Sequence, residues 1–275
     1  MANSVNTNQS ALVALQSLNN TVSALNKTQK RVTTGYKVAD AVDDGAAFAV
    51  AQSLRSEKGA IDAVNSQLNI AKGATGVFSN AATNISDALG RARETLTKLA
   101  DQNLNTDMRT KYNNDFTALQ AEVQNYISNA KFNGINLLSG AQTNISVIAN
   151  SDGTQYTVGG ANGVSLSSAI VSAFTAVGSA ASAVLLLTGA FATAEKTTGD
   201  VLNTLGADTR RLDAQIKFNS SMQDALTTSL GAIVDADLAK ESANLQAQQI
   251  KQQLGAQTLG IANQAPQILQ NLFRG

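Results

Sequence analysis

A long apolar stripe organises the middle of the chain. Between Ala47 and Leu99, apolar residues recur at steps of three and four, and only Glu57 and Thr75 interrupt them. This spacing predicts one helix with a continuous face for a partner helix. At 1.5 Å per residue the helix would be roughly 80 Å long, which exceeds one compact globule. The stripe residues that we expect to form this seam include Leu54, Ile61, Leu68, Phe78, Ile85 and Leu96.

Helical spacing also marks the N-terminal segment. Its seam begins at Ala11 and continues to Val32. Asn8 or Ser10 is the expected N-cap, because the side chains of both can accept a hydrogen bond from the first helical turn. Gly35 fits the position just past the C-terminal end.

Three more helices follow by the same criterion. One runs from Met108 to Ala130, and its short connection to the long helix predicts that the two pack antiparallel. A fourth helix is expected to end near Ile233. The last helix is predicted over 235–273, with Asp235 as its cap and apolar side chains on more than one face.

The pattern changes between the third and fourth helices. Asn144–Ile148 and Tyr156–Val158 alternate as strands do, and Asp152-Gly153 between them predicts a hairpin. Gly159–Gly163 is expected to be a loop. Val164–Thr193 is poor in charge, and we interpret it as the lead-in to the fourth helix.

Composition agrees with a mainly α fold. The 275 residues contain only 4% aromatics and one proline, which suits close and regular helix packing. We therefore predict a long antiparallel helical rod with a terminal coiled coil and a small β-hairpin. Lys plus Arg and Asp plus Glu balance at 20 each, so neither a nucleic-acid partner nor membrane insertion is predicted.

The residue types that are missing exclude most enzyme chemistry. The chain has no histidine and no cysteine, which removes Ser-His-Asp and Cys-His nucleophilic sites and zinc sets built on those residues. Asp43-Asp44 is the nearest acidic cluster, and the N-terminus of the long helix explains it more simply. We predict no catalytic, cofactor or metal site.

Both ends of the chain are helical, rich in amides and uncharged. No charged residue occurs in 1–26 or in 252–273. In a homopolymer, symmetry places each side chain near its own copy, so a buried charge would remain unpaired. We expect 1–43 plus 235–275 to be a coiled-coil assembly domain, and 44–234 to be a rod with the hairpin around 144–158 and a short variable segment around 159–195. The expected filament-core residues are Leu15, Leu18, Val22, Leu25, Leu245, Leu254, Ile261, Ile268 and Leu272.

Several short motifs, in order along the chain, resemble bacterial flagellin. Each motif is weak alone, but their order and their spread over both ends and the helical middle are specific. The matching segments are Val5-Asn6-Thr7-Asn8, Arg31-Val32-Thr33-Thr34-Gly35, Asp43-Asp44-Gly45-Ala46, Arg91-Ala92-Arg93-Glu94, Phe132-Asn133-Gly134 with Leu137-Leu138, Asp235-Ala236-Asp237 and Ala262-Asn263-Gln264-Ala265-Pro266-Gln267.

The resemblance implies a structural subunit of the extracellular flagellar filament that serves swimming. It implies self-association, secretion through the flagellar export apparatus, and contacts with an export chaperone and with cap and junction proteins. It also implies an innate-receptor surface at Arg91, Glu94 and Asp115. Thr95 stands where the family usually has an aliphatic residue, so we expect weak receptor signalling.

Two structural alternatives remain open at this point. A hook–filament junction protein shares the ends of the flagellin pattern, and another coiled-coil scaffold would satisfy the periodicity alone. Some flagellins carry a zinc-protease insert with an HExxH motif, which a chain without histidine excludes.

Overall fold

The computed structural model describes residues 8–140, 144–159 and 162–272, with side chains described up to residue 264 except in 162–165. These residues form seven helices and one two-stranded sheet, which confirms the predicted mainly α fold with a small hairpin. In chain order the elements are α1 Gln9–Thr34, α2 Gly45–Leu99, α3 Thr106–Asn129, β1 Asn144–Ile148, β2 Gln155–Gly159, α4 Asn162–Ala173, α5 Ala180–Thr188, α6 Ala190–Val234 and α7 Leu238–Leu272.

The elements group into two compact units. The terminal unit comprises Met1–Ser56 and Ala225–Gly275, and the central unit comprises Glu57–Asp224. The described part of the chain contains no helix that is long and apolar enough to cross a membrane.

In the terminal unit, α1 begins and ends as predicted. The side chain of Asn8 accepts a hydrogen bond from the backbone N–H of Ala11, and Gly35 closes the helix with a left-handed φ of 75°. The connector that follows is fixed by the backbone N–H groups of Lys37 and Val38, which both donate to the carbonyl oxygen of Val234. Val38, Ala51 and Val234 form a small buried cluster beneath it.

The predicted cap of the last helix is wrong by two residues. Asp237 caps α7, because its carboxylate accepts hydrogen bonds from the backbone N–H groups of Ala239 and Lys240. Asp235 instead pairs with Tyr36 in an isolated antiparallel bridge. This extended pairing holds Asp235 ahead of the first helical turn.

In the central unit, α2 and α3 pack antiparallel, as their short connection predicted. Lys98 lies over the ring of Tyr112, and Arg91 pairs with Glu122, so later residues of α3 meet earlier residues of α2. The guanidinium of Arg109 donates to the carbonyl oxygens of Leu99 and Asp101 at 2.7 and 3.0 Å. It thereby satisfies the carbonyl group of Leu99, which the end of α2 leaves without a helical partner, and fixes the connection after it.

The predicted hairpin is present and lies against α2 and α6. Its strands pair antiparallel from Asn144↔Gly159 to Ile148↔Gln155. Gly153 supplies the left-handed residue of the turn, with a φ of 82°. Val158 is buried in a cluster with residues of both helices, namely Val64, Leu68, Ala71 and Leu212.

The segment before α6 differs from its prediction as a loop and a lead-in. Asn162 and Gly163 already belong to α4, and Ser179 caps a second short helix, α5. Both helices contribute to the main core of the central unit, where Phe174 lies between Phe116 and Phe191 with ring centroids 4.8 and 6.0 Å away. Many of the side chains here are Ala, Ser and Gly, so the apolar contrast that marks a helix face is weak.

Candidate functional site

The two terminal helices pair antiparallel. Asn8 donates a hydrogen bond to the carbonyl oxygen of Ala262 at 2.7 Å, near one end of the pair. At the other end Arg31 forms an ion pair with Glu241 at 3.1 Å. Between them Gly255 faces Leu18 so closely that a Cβ there would lie 3.1 Å from a Leu18 methyl group.

One face of α7 is covered by this pairing. Buried or half-buried residues recur on it at steps of four and three, the spacing of a coiled-coil seam. They are Glu241, Leu245, Gln248, Gln252, Gly255, Leu259 and Ala262. The seam is therefore half polar, and amide side chains fill positions that a stable soluble coiled coil would give to leucine.

The predicted filament-core residues fall into two groups. Leu18, Val22, Leu25 and Leu245 are half-buried within the terminal unit. Leu15, Leu254 and Ile261 remain 42%, 56% and 70% exposed. The side chains of Ile268 and Leu272 lie outside the described residues.

Three exposed apolar residues near them were not predicted as site residues: Leu12, Val13 and Ile250. On α7, Ile250, Leu254 and Ile261 fall within about 40° of one another at roughly 100° per residue. Their line runs on the side of α7 away from the Leu245–Leu259 seam. Sequence analysis could have found Ile250 if the apolar residues on both faces of the last helix had been followed, since Ile250 precedes Leu254 by one turn on the same face.

The antiparallel pairing brings the two uncharged segments together. Asn8 meets Ala262 and Leu18 meets Gly255, so the described part of 1–26 lies beside the described part of 252–273. The exposed leucine and isoleucine side chains thus belong to two neighbouring segments that contain no charged residue. We use the name terminal apolar surface for the exposed side chains of Leu12 and Leu15 on α1 together with those of Leu254 and Ile261, which lie on the side of α7 away from α1.

The charged end of the same unit is a network of ion pairs. The ammonium group of Lys30 lies 2.6 Å from Asp40 and 2.8 Å from Asp43. By donating to both carboxylates it lowers the pKa of Asp40 and of Asp43 below the usual 3.8, and the two carboxylates raise the pKa of Lys30. This network joins α1 to the connector that leads into α2.

The predicted seam of α2 is distributed over both units. Ile61, Leu68, Phe78, Ile85 and Leu96 are buried in the central unit, whereas Leu54 is half-buried in the terminal unit. Thr75, which interrupted the apolar stripe, is also buried. Its hydroxyl donates to the carbonyl oxygen of Ala71 at 2.9 Å, so the seam accommodates it without an unpaired polar group.

The residues of the receptor-surface prediction lie on α2 and α3. Glu94 and Asp115 are exposed, and Arg91 donates to Glu122 at 2.6 Å. Thr95 is buried, with its hydroxyl 3.2 Å from the carbonyl oxygen of Arg91. Its side chain therefore faces the core of the central unit. Weak receptor signalling stays a prediction.

Comparison with known proteins decides the family. The family model of the bacterial flagellin N-terminal helical region matches residues 5–143, and that of the C-terminal helical region matches residues 189–273. The chain belongs to the bacterial flagellin family. Flagellin FljM of Caulobacter vibrioides is 39% identical to this flagellin over 272 residues, which cover 99% of each chain.

Solved structures agree at the level of the fold. The Bacillus cereus flagellin crystal structure matches this flagellin with a TM-score of 0.51 at 20% identity, covering 56% of this chain and 88% of its own. A Vibrio parahaemolyticus protein provisionally named as flagellar hook-associated matches with a TM-score of 0.61 at 14% identity, covering 70% and 100%. Both likenesses concern the fold alone.

Family membership supplies the function. This flagellin is a structural subunit of the extracellular flagellar filament, which serves swimming motility, and its family is one of self-assembling structural proteins. The hook–filament junction and the unrelated scaffold are not favoured, because the full-length relative at 39% identity is a flagellin.

Proposed function

We propose that residues 1–43 and 235–275 make the filament-core contacts of this flagellin, through the terminal apolar surface. We assign Ile268 and Leu272, which follow later in α7, to the filament core as well. The observation that supports the proposal is the combination of exposed leucine and isoleucine side chains with two neighbouring segments that contain no charged residue. These side chains are exposed within the subunit, so they would contribute to stability only where another subunit covers them.

Burial in a polymer accounts for both features. Each covered leucine or isoleucine side chain stabilises the contact by roughly 1.5–3 kcal/mol. A charged residue at the same place would recur in every subunit and would lose its hydration without gaining a partner. The half-polar seam between α1 and α7 fits the same picture, since the pair would depend on its neighbours for part of its stability.

Further partners follow from family membership alone. We propose secretion through the flagellar export apparatus, with an export chaperone and the filament cap and junction proteins as partners. The residues 44–234 would form the rod outside the filament core.

The test is Ile261→Lys. The lysine would repeat in every subunit of the core, and the nearest acidic residue along the segment, Glu241, is about 30 Å away at 1.5 Å per residue. The variant should be as soluble and as helical as the parent protein by circular dichroism. It should fail to elongate filament seeds when elongation is followed by light scattering and electron microscopy.

A matched control is Val171→Lys, which places the same charge on a similarly exposed aliphatic position of the central unit. This control should elongate seeds as the parent protein does. Normal growth of the Ile261→Lys filament, or equal failure of both variants, would overturn the assignment of the core to the terminal apolar surface.

A further inference from the structure

We propose that Phe218 and Met222 on α6 of one copy pack into an apolar groove on the central unit of a neighbouring copy. This second contact rests on the proposed function, because it requires copies of the chain to lie side by side in a filament. It adds a specific pair of surfaces outside the terminal helices.

The groove lies between α2, β1 and the turn at 132–135. Its volume is about 200 Å³, and no charged residue lines it. Ile70 lines the groove and is 57% exposed, so an apolar side chain is left open to solvent there. The lining side chains are those of Gln67, Ile70, Phe132, Ile135, Ile145 and Val147, with Ala71, Ala74 and Asn133 completing it.

The projecting partner is an exposed aromatic residue on α6. Phe218 is 54% exposed and belongs to none of the apolar clusters of the central unit. Among the phenylalanine residues whose side chains are described, it alone is exposed, and the others are buried or half-buried. Met222 follows it by one helical turn and is also exposed, so the two side chains stand together on one face.

The hairpin separates the groove from α6. β1 contributes Ile145 and Val147 to the groove. β2 lies against α6, because Asp208 accepts a hydrogen bond from the backbone N–H of Gly159 at 2.8 Å and Arg211 lies 4.5 Å from the ring centroid of Tyr156. Phe218 therefore cannot fill the groove of its own chain without displacing the hairpin.

Two different surfaces on one subunit are what an open polymer requires. A contact between identical patches closes a two-fold dimer, whereas a contact between different patches repeats from copy to copy and builds a ring or a helical filament. Phe218 with Met222 and the groove supply such a pair of unlike apolar surfaces. Aromatic residues that enter pockets are also the residue type that most often dominates interface energetics.

The contact is too small to hold a subunit alone. Stable interfaces bury roughly 1,200–2,000 Å² in total, far more than two side chains can cover. Its expected role is to fix how neighbouring central units are placed while the terminal helices supply most of the affinity. Phe218→Ala should accordingly raise the monomer concentration needed for elongation by about fivefold, which corresponds to about 1 kcal/mol.

Disulfide cross-linking tests the pairing directly, because the chain contains no cysteine. Phe218→Cys and Ile70→Cys are made as separate single variants. They are mixed with an excess of the cysteine-free parent protein, grown from seeds and oxidised. A covalent dimer should form on non-reducing gels in the polymer with both variants, and should be absent from unpolymerised mixtures and from filaments with either variant alone.

A second pair of cysteine variants leaves Phe218 and Ile70 unchanged. The cross-linking result then does not depend on variants that have lost the apolar contact. Ser221→Cys with Gln67→Cys places thiols at polar positions bordering the same two surfaces. Phe218→Cys with Val171→Cys is the negative control. Filaments that grow normally but give no dimer from either test pair, or give as much from the negative control, would overturn the groove contact and leave the terminal assembly proposal standing.

Discussion

Leu68 and Ile70 stand two positions apart on α2, yet their surroundings are opposite. Leu68 is fully buried against the hairpin and α6, whereas Ile70 remains more than half exposed. The pair therefore separates the effect of burial from the effect of adding a charge to this helix.

Leu68→Asp should strongly destabilise the subunit. Removing a buried leucine costs about 2–5 kcal/mol, and the new carboxylate would lie among Val64, Val158 and Leu212 without a partner. The thermal melt of the monomer, followed by circular dichroism, should fall well below that of the parent protein. Ile70→Asp is the control and should melt close to the parent; equal melts for both variants would show that the Leu68 site is open to solvent.

The ion pairs of Lys30 give a second prediction at the residue scale, which concerns the stability of the folded protein at low pH. Because the pKa values of Asp40 and Asp43 are lowered in the folded chain, their stabilisation is present above pH 3.8 and is lost as pH falls through the lowered pKa values. Lys30→Met should unfold at lower denaturant than the parent protein at pH 7, and this difference should narrow as the pH falls below 3.8 and through the lowered pKa values of Asp40 and Asp43.

Lys27→Met is the matched control, since Lys27 is an exposed lysine of the same helix that forms no ion pair among the described residues. It should show no such narrowing. A constant difference between the Lys30→Met variant and the parent across this range would mean that the ion pairs do not contribute to folding.

Among the elements, α2 was predictable and α7 only partly so. The stripe of α2 is apolar on one face, so its burial in the central unit follows from periodicity alone. On α7, Leu245 and Leu259 share one face while Leu254 and Ile261 share another. Nothing in their spacing says which face meets α1; the position of Leu18 against Gly255 decides it, and that is a tertiary contact.

The short helices α4 and α5 were not predicted, because the contrast between apolar and polar positions in their sequence is weak. Leu166, Ile170 and Ala173 are buried at steps of four and three, but serine and alanine occupy most of the positions between them. With little polarity on the outer face, the helical period has low contrast. Their place in the core is set by Phe174 packing between Phe116 and Phe191, contacts that span distant parts of the chain.

Gly255 gives the prediction at this scale. Gly255→Leu should separate α1 from α7, because even a Cβ at this position lies 3.1 Å from Leu18. Gly260→Leu in the same helix is the control, since nothing lies within 4 Å of a Cβ there. Both changes gain close to 1 kcal/mol of helix propensity, so a lower helical content by circular dichroism in the Gly255 variant alone would report the lost pairing. Equal helical content in the two variants would contradict the close approach.

At the scale of the whole molecule, the two units differ in what they need from other copies. The central unit has large buried residues in its own core, among them Phe78, Ile85, Leu96 and Phe191. The terminal unit has a small cluster around Val38, Ala51 and Val234, and its helix pair leaves leucine and isoleucine exposed. We therefore expect the central unit to be stable by itself and the terminal helices to gain most from assembly.

Removing residues 1–42 and 235–275 tests this division. The remaining chain keeps α3, both strands and the central core intact, so it should stay helical by circular dichroism and monomeric by analytical ultracentrifugation. It loses α1, α7 and the whole terminal apolar surface, so electron microscopy should find no filaments when it is added to seeds of the full-length protein. The residual groove contact is far below the area of a stable interface and should not restore growth. Filaments built from the trimmed chain would show that assembly resides in the central unit, and the terminal helices would then need another role.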